Sequence, residues 1–212
     1  MSVITVNSPK DCATKQGVLR IEKNKYKKLL FIISSCFSLI LLLILLVWFI
    51  LRPSKPQFSL KELDIYQLNL SGPYLNSTIQ LTLLSKNPNQ KVGVYYDEFQ
   101  VYATYKSQQI TMDSYIPPFY QSQQESNLLS ASLVGNGLPV SPSLAYELAR
   151  DRLDSRLLVV NVKVNGKLRW KVGTWVSGRS RFNVNCVSFV GFGPPSSGPL
   201  TSNQGAQCST DV

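Results

Sequence analysis

The chain has 212 residues, of which 22 are lysine or arginine, 12 are aspartate or glutamate and none is histidine, so its formal net charge is +10. The absence of histidine removes the commonest general base and metal ligand, and the four scattered cysteines lack the spacing of a zinc or redox motif. There is also no nucleophile elbow, phosphate-binding loop or nucleic-acid-binding motif. We therefore expect a protein that is not an enzyme, holds no cofactor or metal ion and binds no nucleic acid.

Residues Leu29–Leu51 form an uninterrupted apolar run of 23 residues without a charge, proline or glycine. A helix of that length measures about 34 Å, enough to cross a hydrocarbon core of about 30 Å. The run is longer than the apolar region of a signal peptide, and Arg52-Pro53 follow it instead of a small-residue cleavage site. A buried helix of a soluble domain is seldom apolar on every face. The sequence predicts an uncleaved signal anchor that forms a single transmembrane helix.

The basic residues around this run predict its orientation. Six lie between Lys15 and Lys28, and three lie in the ten positions that follow Leu51. Because lysine and arginine are retained on the cytoplasmic side, the N-terminus is predicted to be cytoplasmic and the residues after Leu51 extracellular or luminal. The lysines before the span either only set this orientation or also bind anionic lipid.

Two N-glycosylation sequons follow the predicted span, Asn69-Leu70-Ser71 and Asn76-Ser77-Thr78. Their modification requires luminal exposure, which agrees with the predicted orientation. Asn69 and Asn76 are therefore candidate glycosylation sites.

Beyond Phe58 apolar residues alternate with polar ones, which is typical of half-buried β-strands. Asn165-Gly166 separates two such runs and predicts a tight hairpin turn. The spacing of the runs indicates a mostly β fold, an antiparallel β-sandwich. The clearest runs are Ile79–Leu83, Phe99–Tyr105, Val160–Val164, Leu168–Val172 and Phe182–Cys186.

One helix is predicted among the strands. Ser141 can cap its N-terminus and Pro142 suits its first position. Leu144, Leu148 and Leu153 would then form one apolar face, so this helix should pack on the sandwich.

The sequence divides into five predicted segments. Gly193–Val212 is rich in glycine, proline and serine, which predicts a flexible tail, and it lacks the hydrophobic stretch of a lipid-anchor signal. The segments are a basic cytoplasmic tail (1–28), the transmembrane helix (29–51), a juxtamembrane linker (52–58), the extracellular sandwich (59–190) and a flexible C-terminal tail (191–212).

Two segments with aromatic residues leave a structural and a functional interpretation open. In Asn87–Asp97, NPNQKVGVYYD, the tyrosine pair and the aspartate form either a ligand surface or a packed pair whose hydroxyl finds a polar partner. Gly93 within it suggests a bulge or a close approach. Pro117–Gln121, PPFYQ, is either a recognition loop or a loop with Phe119 packed beneath it.

A third segment, Leu168–Cys186, is rich in tryptophan and basic residues. On a strand, Arg169 and Lys171 point away from Trp170, so a basic ribbon can form that meets anionic lipid headgroups or an acidic wall polysaccharide. The alternative is an ordinary solvated face. The candidate residues are Lys163, Lys167, Arg169, Lys171, Arg179 and Arg181.

Cys186 and Cys208 are the only cysteines after the predicted span. They can form a disulfide in an oxidising compartment. A free thiol at Cys186, on the apolar face of its strand, is the alternative.

Taken together, NPNQKVGVYYD, PPFYQ and LRWKVGTWVSGRSRFNVNC resemble, in order and spacing, the three motifs of the plant harpin-induced-like (NHL), or non-race-specific disease resistance-like, family. The basic tail and single span match this family too, and the resemblance covers Lys25 to Val190. Each motif alone is weak, whereas three in order are specific.

The resemblance implies a late embryogenesis abundant group 2 (LEA-2) domain, which is a β-sandwich of immunoglobulin or fibronectin-III type with one helix. It also implies a plant plasma-membrane protein associated with defence, the hypersensitive response or stress, with protein partners in immune signalling. It supplies no catalytic residues. The expected function is therefore non-enzymatic defence signalling or membrane–wall adhesion. The alternative is a lipid-binding or lipid-transfer domain held beside a membrane, which would need an apolar groove between its sheets.

Overall fold

The computed structural model describes residues 12–51, 53–155, 157–192, 198–202 and 205–212. The chain divides into two compact units, Met1–Arg52 and Pro53–Val212. The first contains helix α1 (Cys12–Leu51). Within it, the 22 residues of Lys25–Leu46 contain an 18-residue window with a mean hydropathy of 3.0 and are long and apolar enough to cross a membrane. The side chains of residues 47–51, the end of the predicted span, lie outside the described part.

The second unit is built almost entirely of β-strands. Among its described residues, one α-helix, α2 (Pro142–Arg150), and a π-helical turn (Asp151–Ser155) interrupt them. The strands are β1 (Gln57–Ser71), β2 (Tyr74–Lys86), β3 (Gly93–Tyr105), β4 (Gln108–Gln109), β5 (Ser114–Tyr115), β6 (Phe119–Gln121), β7 (Ser126–Pro139), β8 (Leu157–Val172), β9 (Trp175–Val176), β10 (Ser180–Gly191), β11 (Leu200–Thr201), β12 (Ala206–Gln207) and β13 (Ser209–Asp211).

These strands form two antiparallel sheets. The first sheet has the order β11-β1-β2-β7, and β12 also pairs with β1. The second sheet has the order β13-β10-β8-β3-β4, with β5 and β6 paired to β3 and β9 paired to β8. The mostly β, antiparallel fold that the alternation predicts is confirmed.

The core lies between the sheets and has an aromatic cluster at one end. Phe58 from the first sheet lies 6.3, 6.0 and 6.1 Å, centroid to centroid, from the rings of Tyr96, Phe99 and Phe182 in the second. All four side chains are at most 2% exposed. The five predicted runs all fall within β2, β3, β8 and β10, because one face of each strand is buried and the sequence pattern records it.

The predicted hairpin at Asn165-Gly166 is wrong, since β8 runs without a break through both residues. Gly166 serves a different purpose there. A Cβ atom at this position would lie 2.0 Å from the Glu98 carbonyl oxygen and 2.6 Å from the Phe182 ring. The glycine is required by a close approach of β8 to β3, and this contact cannot be seen from neighbouring residues in the sequence.

Helix α2 begins as predicted and ends earlier. The Leu144 amide donates to Oγ of the capping Ser141 at 3.2 Å, and Leu144 and Leu148 are buried. Leu153 does not extend this apolar face: it lies in the π-helical turn and is 78% exposed. The change of helical period after Arg150 rotates Leu153 away from the sandwich.

The described part of the C-terminal segment is built into the sandwich, so the predicted flexible tail is wrong there. Strands β11 and β12 pair with the free edge of β1, and β13 pairs with the free edge of β10. Backbone hydrogen bonds to open sheet edges need no apolar side chains, which is why the composition was misleading. Residues 193–197 and 203–204 lie outside the described part.

Candidate interaction surface

The outer face of the second sheet carries the predicted basic ribbon. On β8 its basic residues alternate with buried Val162, Val164 and Leu168, and they are half-buried among neighbouring side chains. Arg179, just before β10, and Arg181, its second residue, are exposed. The structure therefore brings together on one side of the sheet Lys163, Lys167, Arg169, Lys171, Arg179 and Arg181.

Two carboxylates partly neutralise this surface. A register shift between Tyr96 and Glu98 turns both Asp97 and Glu98 outward. Asp97 accepts from Arg169 at two points, Nε–Oδ2 at 2.8 Å and Nη2–Oδ1 at 2.6 Å. Arg179 Nε adds a third contact to Oδ2 at 3.2 Å, and Lys167 pairs with Glu98 at 2.8 Å. Six positive charges against two negative ones leave an excess of four.

The Asp97 carboxylate is held in its charged form. The hydrogen bond from Arg169, with a smaller one from Arg179, keeps the pKa of Asp97 below its ordinary value. This side chain is 16% exposed. It therefore acts as a fixed connector between β3, β8 and the start of β10.

Tyr95 and Tyr120 form an aromatic patch beside these charges. Their ring centroids lie 4.5 Å apart, and Lys171 Nζ lies 4.9 Å from the Tyr120 centroid and 5.5 Å from that of Tyr95. Gly93 makes room for this patch, because a Cβ there would lie 2.3 Å from the Tyr120 hydroxyl. The close approach suggested for Gly93 is made by this side chain.

The neighbouring aromatics are structural. Tyr96 is 1% exposed, and its hydroxyl lies 3.3 Å from Gln121 Oε1; burial raises its pKa. Phe119 packs on Tyr96 at 4.6 Å. PPFYQ therefore contributes a short strand, β6, in which Phe119 packs against the core. The packed interpretation of Phe119 is confirmed, and recognition by this segment stays a prediction.

The hairpin of β8 and β9 presents Trp175, the second tryptophan of the Leu168–Cys186 segment. Val172 pairs with Trp175, and Gly173, with φ of 57°, takes the left-handed conformation that this two-residue turn needs. Trp175 is 63% exposed. The Gly-Thr pair between two alternating runs is the sequence signal that could have located this turn.

The other candidate residues lie elsewhere on the second unit. Asn69 and Asn76 are direct cross-strand partners at the far end of β1 and β2. Asn69 is exposed, whereas Asn76 Oδ1 accepts from the Gly137 amide at 2.7 Å.

Cys186 and Cys208 are joined in a disulfide. In the part of the chain that the structure describes, no three cysteine, histidine or acidic residues are grouped to hold a metal ion.

Replacing Asp97 with asparagine is expected to lower the free energy of unfolding by about 1 kcal/mol near neutral pH, because it removes a charge-assisted pair that solvent partly screens. Since the pKa of Asp97 is lowered on folding, its contribution is full above its unfolded pKa and is lost as the pH falls through the folded value. The difference between the two proteins should shrink below about pH 4 in urea titrations. Glu98→Gln, which removes a more exposed pair, should change stability less. A difference that does not vary with pH would contradict this assignment.

Comparison with known proteins assigns the chain to a family. The late embryogenesis abundant protein (LEA_2) profile matches residues 82–187. NDR1/HIN1-like protein 26 of Arabidopsis thaliana is 53% identical over 216 residues, covering 100% of both chains. NDR1/HIN1-like protein 1 of the same plant is 40% identical, covering 78% of this chain and 80% of its own.

A crystal structure of a protein from Archaeoglobus fulgidus matches at 14% identity with a TM-score of 0.30, covering 58% of this chain and 94% of its own. The two NDR1/HIN1-like relatives and the LEA_2 match fit the motifs and the sandwich described above. The chain belongs to the plant NDR1/HIN1-like family and carries a LEA-2 domain.

Proposed function

We propose that this chain is a single-pass plasma-membrane protein that acts without catalysis in plant defence and holds its LEA-2 sandwich outside the cell. Its relatives imply a plant protein related to disease resistance. The family names suggest a non-enzymatic role. In this role the sandwich is a recognition module, whose partners are proteins of immune signalling or components of the membrane and wall.

The position of the disulfide carries the proposed orientation. Disulfides persist in oxidising compartments and are rare in the cytosol. The Cys186–Cys208 bond lies in the same unit as both sequons, after the apolar helix, while the basic residues are concentrated before it. Three independent features thus favour a cytoplasmic N-terminus and an extracellular sandwich.

The packing of the sandwich does not favour the alternative of a lipid carrier. The space between the sheets is filled by side chains such as Leu63, Ile79 and Val162, which have no exposed surface. Two depressions lined by described residues, of about 360 and 340 Å³, lie on the outer faces of the sheets and are lined largely by polar residues. A recognition module needs only such a packed core and an exposed surface.

Glycosylation of the full-length chain in plant cells tests this orientation. At least one of Asn69 and Asn76 is expected to be modified, so enzymatic deglycosylation should increase the gel mobility of the wild type and leave Asn69→Gln/Asn76→Gln unchanged. A sequon engineered into the 1–28 tail is the matched control and should stay unmodified.

A second measurement makes the outcome decisive even if no sequon is used. A membrane-impermeant amine reagent applied to intact protoplasts should label the exposed Lys61, which lies outside the basic ribbon, and spare Lys27. Labelling of Lys27 without Lys61 would overturn the proposed orientation.

A further inference from the structure

The chain enters the sandwich at an end that hydrogen bonds fix firmly. The Ser54 amide donates to Asn89 Oδ1 at 2.7 Å, and Asn89 Nδ2 donates back to the Ser54 carbonyl at 2.8 Å. Helix α1 ends at Leu51. Only Arg52 and Pro53 separate the two, so the covalent reach of the chain between them is about 10 Å.

We call this the entry end of the sandwich. It is made by the starts of β1, β3 and β10, the ends of β2 and β8, the β8–β9 hairpin and the segment between β2 and β3. Strand pairing places these parts together: Gln57 pairs with Lys86, Gly93 with Lys171, and Leu168 with Ser180. The aromatic cluster around Phe58 joins the two sheets at the same level.

The entry end is strongly basic. Its four acidic residues are all engaged: Asp97 with two arginines, Glu98 with Lys167, Glu125 Oε2 with the Ser122 amide at 2.6 Å, and Asp211 with Lys55 at 3.5 Å. Eight positive charges against four negative ones leave an excess of four. The eight are Lys55, Lys86, Lys91, Lys167, Arg169, Lys171, Arg179 and Arg181.

Three of these cations are free to meet a ligand. Lys86, Lys91 and Arg181 are exposed, and none has an ion pair with another residue in the described part of the chain. They come from three different segments and surround the end of the sandwich. A broad anionic surface such as a membrane offers counter-charges to cations that come from several segments.

The β8–β9 hairpin adds a membrane-seeking side chain at this end. Trp175 is 63% exposed, and the basic residues Lys171 and Arg179 lie within four positions of it in the sequence. Tryptophan prefers the boundary between hydrocarbon and headgroups, where its ring is buried and its N–H stays hydrated. Lysine and arginine in that layer reach lipid phosphates.

We propose that the entry end docks on the bilayer that α1 spans, with Trp175 at headgroup level and Lys86, Lys91 and Arg181 on lipid phosphates. This inference depends on the span in the proposed function. The short tether keeps the entry end at a high effective concentration beside the membrane, so weak individual contacts are sufficient. Docking directs the β1–β2 turn, with Asn69 and Asn76, away from the membrane.

Spin labels on the full-length chain in lipid nanodiscs test the proposal. In a background of Cys12→Ser and Cys36→Ser, single labels are placed at Thr174→Cys in the hairpin, at Ser71→Cys in the β1–β2 turn and at Leu41→Cys in α1. The measured quantity is the ratio of oxygen to nickel-chelate accessibility, which is high for a label in lipid and low for a label in water. It should be high at position 41 and low at position 71. At position 174 it should rise at least about twofold when phosphatidylglycerol is added to phosphatidylcholine.

Matched variants separate docking from general effects of charge or hydrophobicity. Lys86→Glu/Lys91→Glu should return the label at 174 to the aqueous value. Lys61→Glu/Gln67→Glu/Gln80→Glu, which makes the same change of charge at exposed positions away from the basic ribbon and the entry end, should not. Trp175→Ser is measured with the label moved to Gly178→Cys and compared with the same label beside Trp175. It should lower the oxygen to nickel-chelate ratio to the aqueous value, as the double variant does. Tyr146→Ser, which removes an aromatic side chain of similar exposure (70% against 63%) away from the entry end, should not.

The possible outcomes are distinct. An aqueous signal at 174 with a lipid signal at 41 would overturn docking and leave the span intact. An aqueous signal at both would overturn the span itself. A label at 174 that responds to added polygalacturonate and not to anionic lipid would assign the entry end to an acidic polysaccharide and refute the proposal.

Discussion

Cys208→Ser is expected to lower the free energy of unfolding of the sandwich by about 3 kcal/mol, because the Cys186–Cys208 bond closes a loop of 22 residues. The bond also holds the short strands β11 and β12 on β1, to which they are joined by few backbone hydrogen bonds. Two such bonds nearby run from the Cys208 amide to the Phe58 carbonyl at 3.0 Å and from the Ser202 amide to the Leu63 carbonyl at 2.9 Å. Urea unfolding of the oxidised proteins, followed by tryptophan fluorescence, measures the difference.

Two controls isolate the bond from the substitution. Reduction of the wild type should lower its stability to that of Cys208→Ser and leave the variant unchanged. Cys36→Ser, at a free cysteine in α1, should have no effect on the sandwich. Equal unfolding midpoints for oxidised wild type and Cys208→Ser would show that the bond contributes nothing.

Gly166→Ala should destabilise the sandwich by about 3 kcal/mol, at the upper end of the usual cost of overpacking. The added methyl group would lie 2.0 Å from a backbone oxygen of β3 and 2.6 Å from the Phe182 ring. Neither can move aside without disturbing the ladder between β3 and β8 or the aromatic core. Thermal and urea unfolding both measure this loss.

A graded series distinguishes this cause from a turn requirement. Gly178→Ala, where nothing lies within 4 Å, should be nearly neutral. Gly173→Ala, at φ of 57° in the β8–β9 turn, should cost about 1 kcal/mol. If Gly166→Ala were as mild as Gly173→Ala, the close approach of β8 to β3 would be refuted.

The strands that sequence reasoning located share one property, a single buried face that produces visible alternation. Strand β7 was missed because it lies at a sheet edge and is rich in serine, and its Leu128 is 67% exposed. Asn165-Gly166 was misread because the turn preference of that pair is local. A contact between strands more than sixty positions apart decided the structure there.

The sequence predicted which basic residues share the surface, but not which carboxylates they pair with. The sequence marked the six basic residues as one surface, which the strand periodicity of β8 does produce. It could not show that Arg169 and Arg179 share Asp97. The two arginines lie 72 and 82 residues after Asp97 in the chain, and both contacts depend on the register shift after Tyr96. The exposure of Trp175 follows from the β8–β9 turn, which the Gly173-Thr174 pair could have indicated.

Because β1 pairs with β11 and β12 near the C-terminus, the first sheet can be completed only late in synthesis. Leu60, in the first strand to emerge from the ribosome, acquires its edge partner only when Ala206 has been made. Until then β1 and β10 present open edges that favour pairing with other chains. Completion of the sandwich is therefore a late event that coincides with oxidation of Cys208, so the last strands to be synthesised finish both sheets.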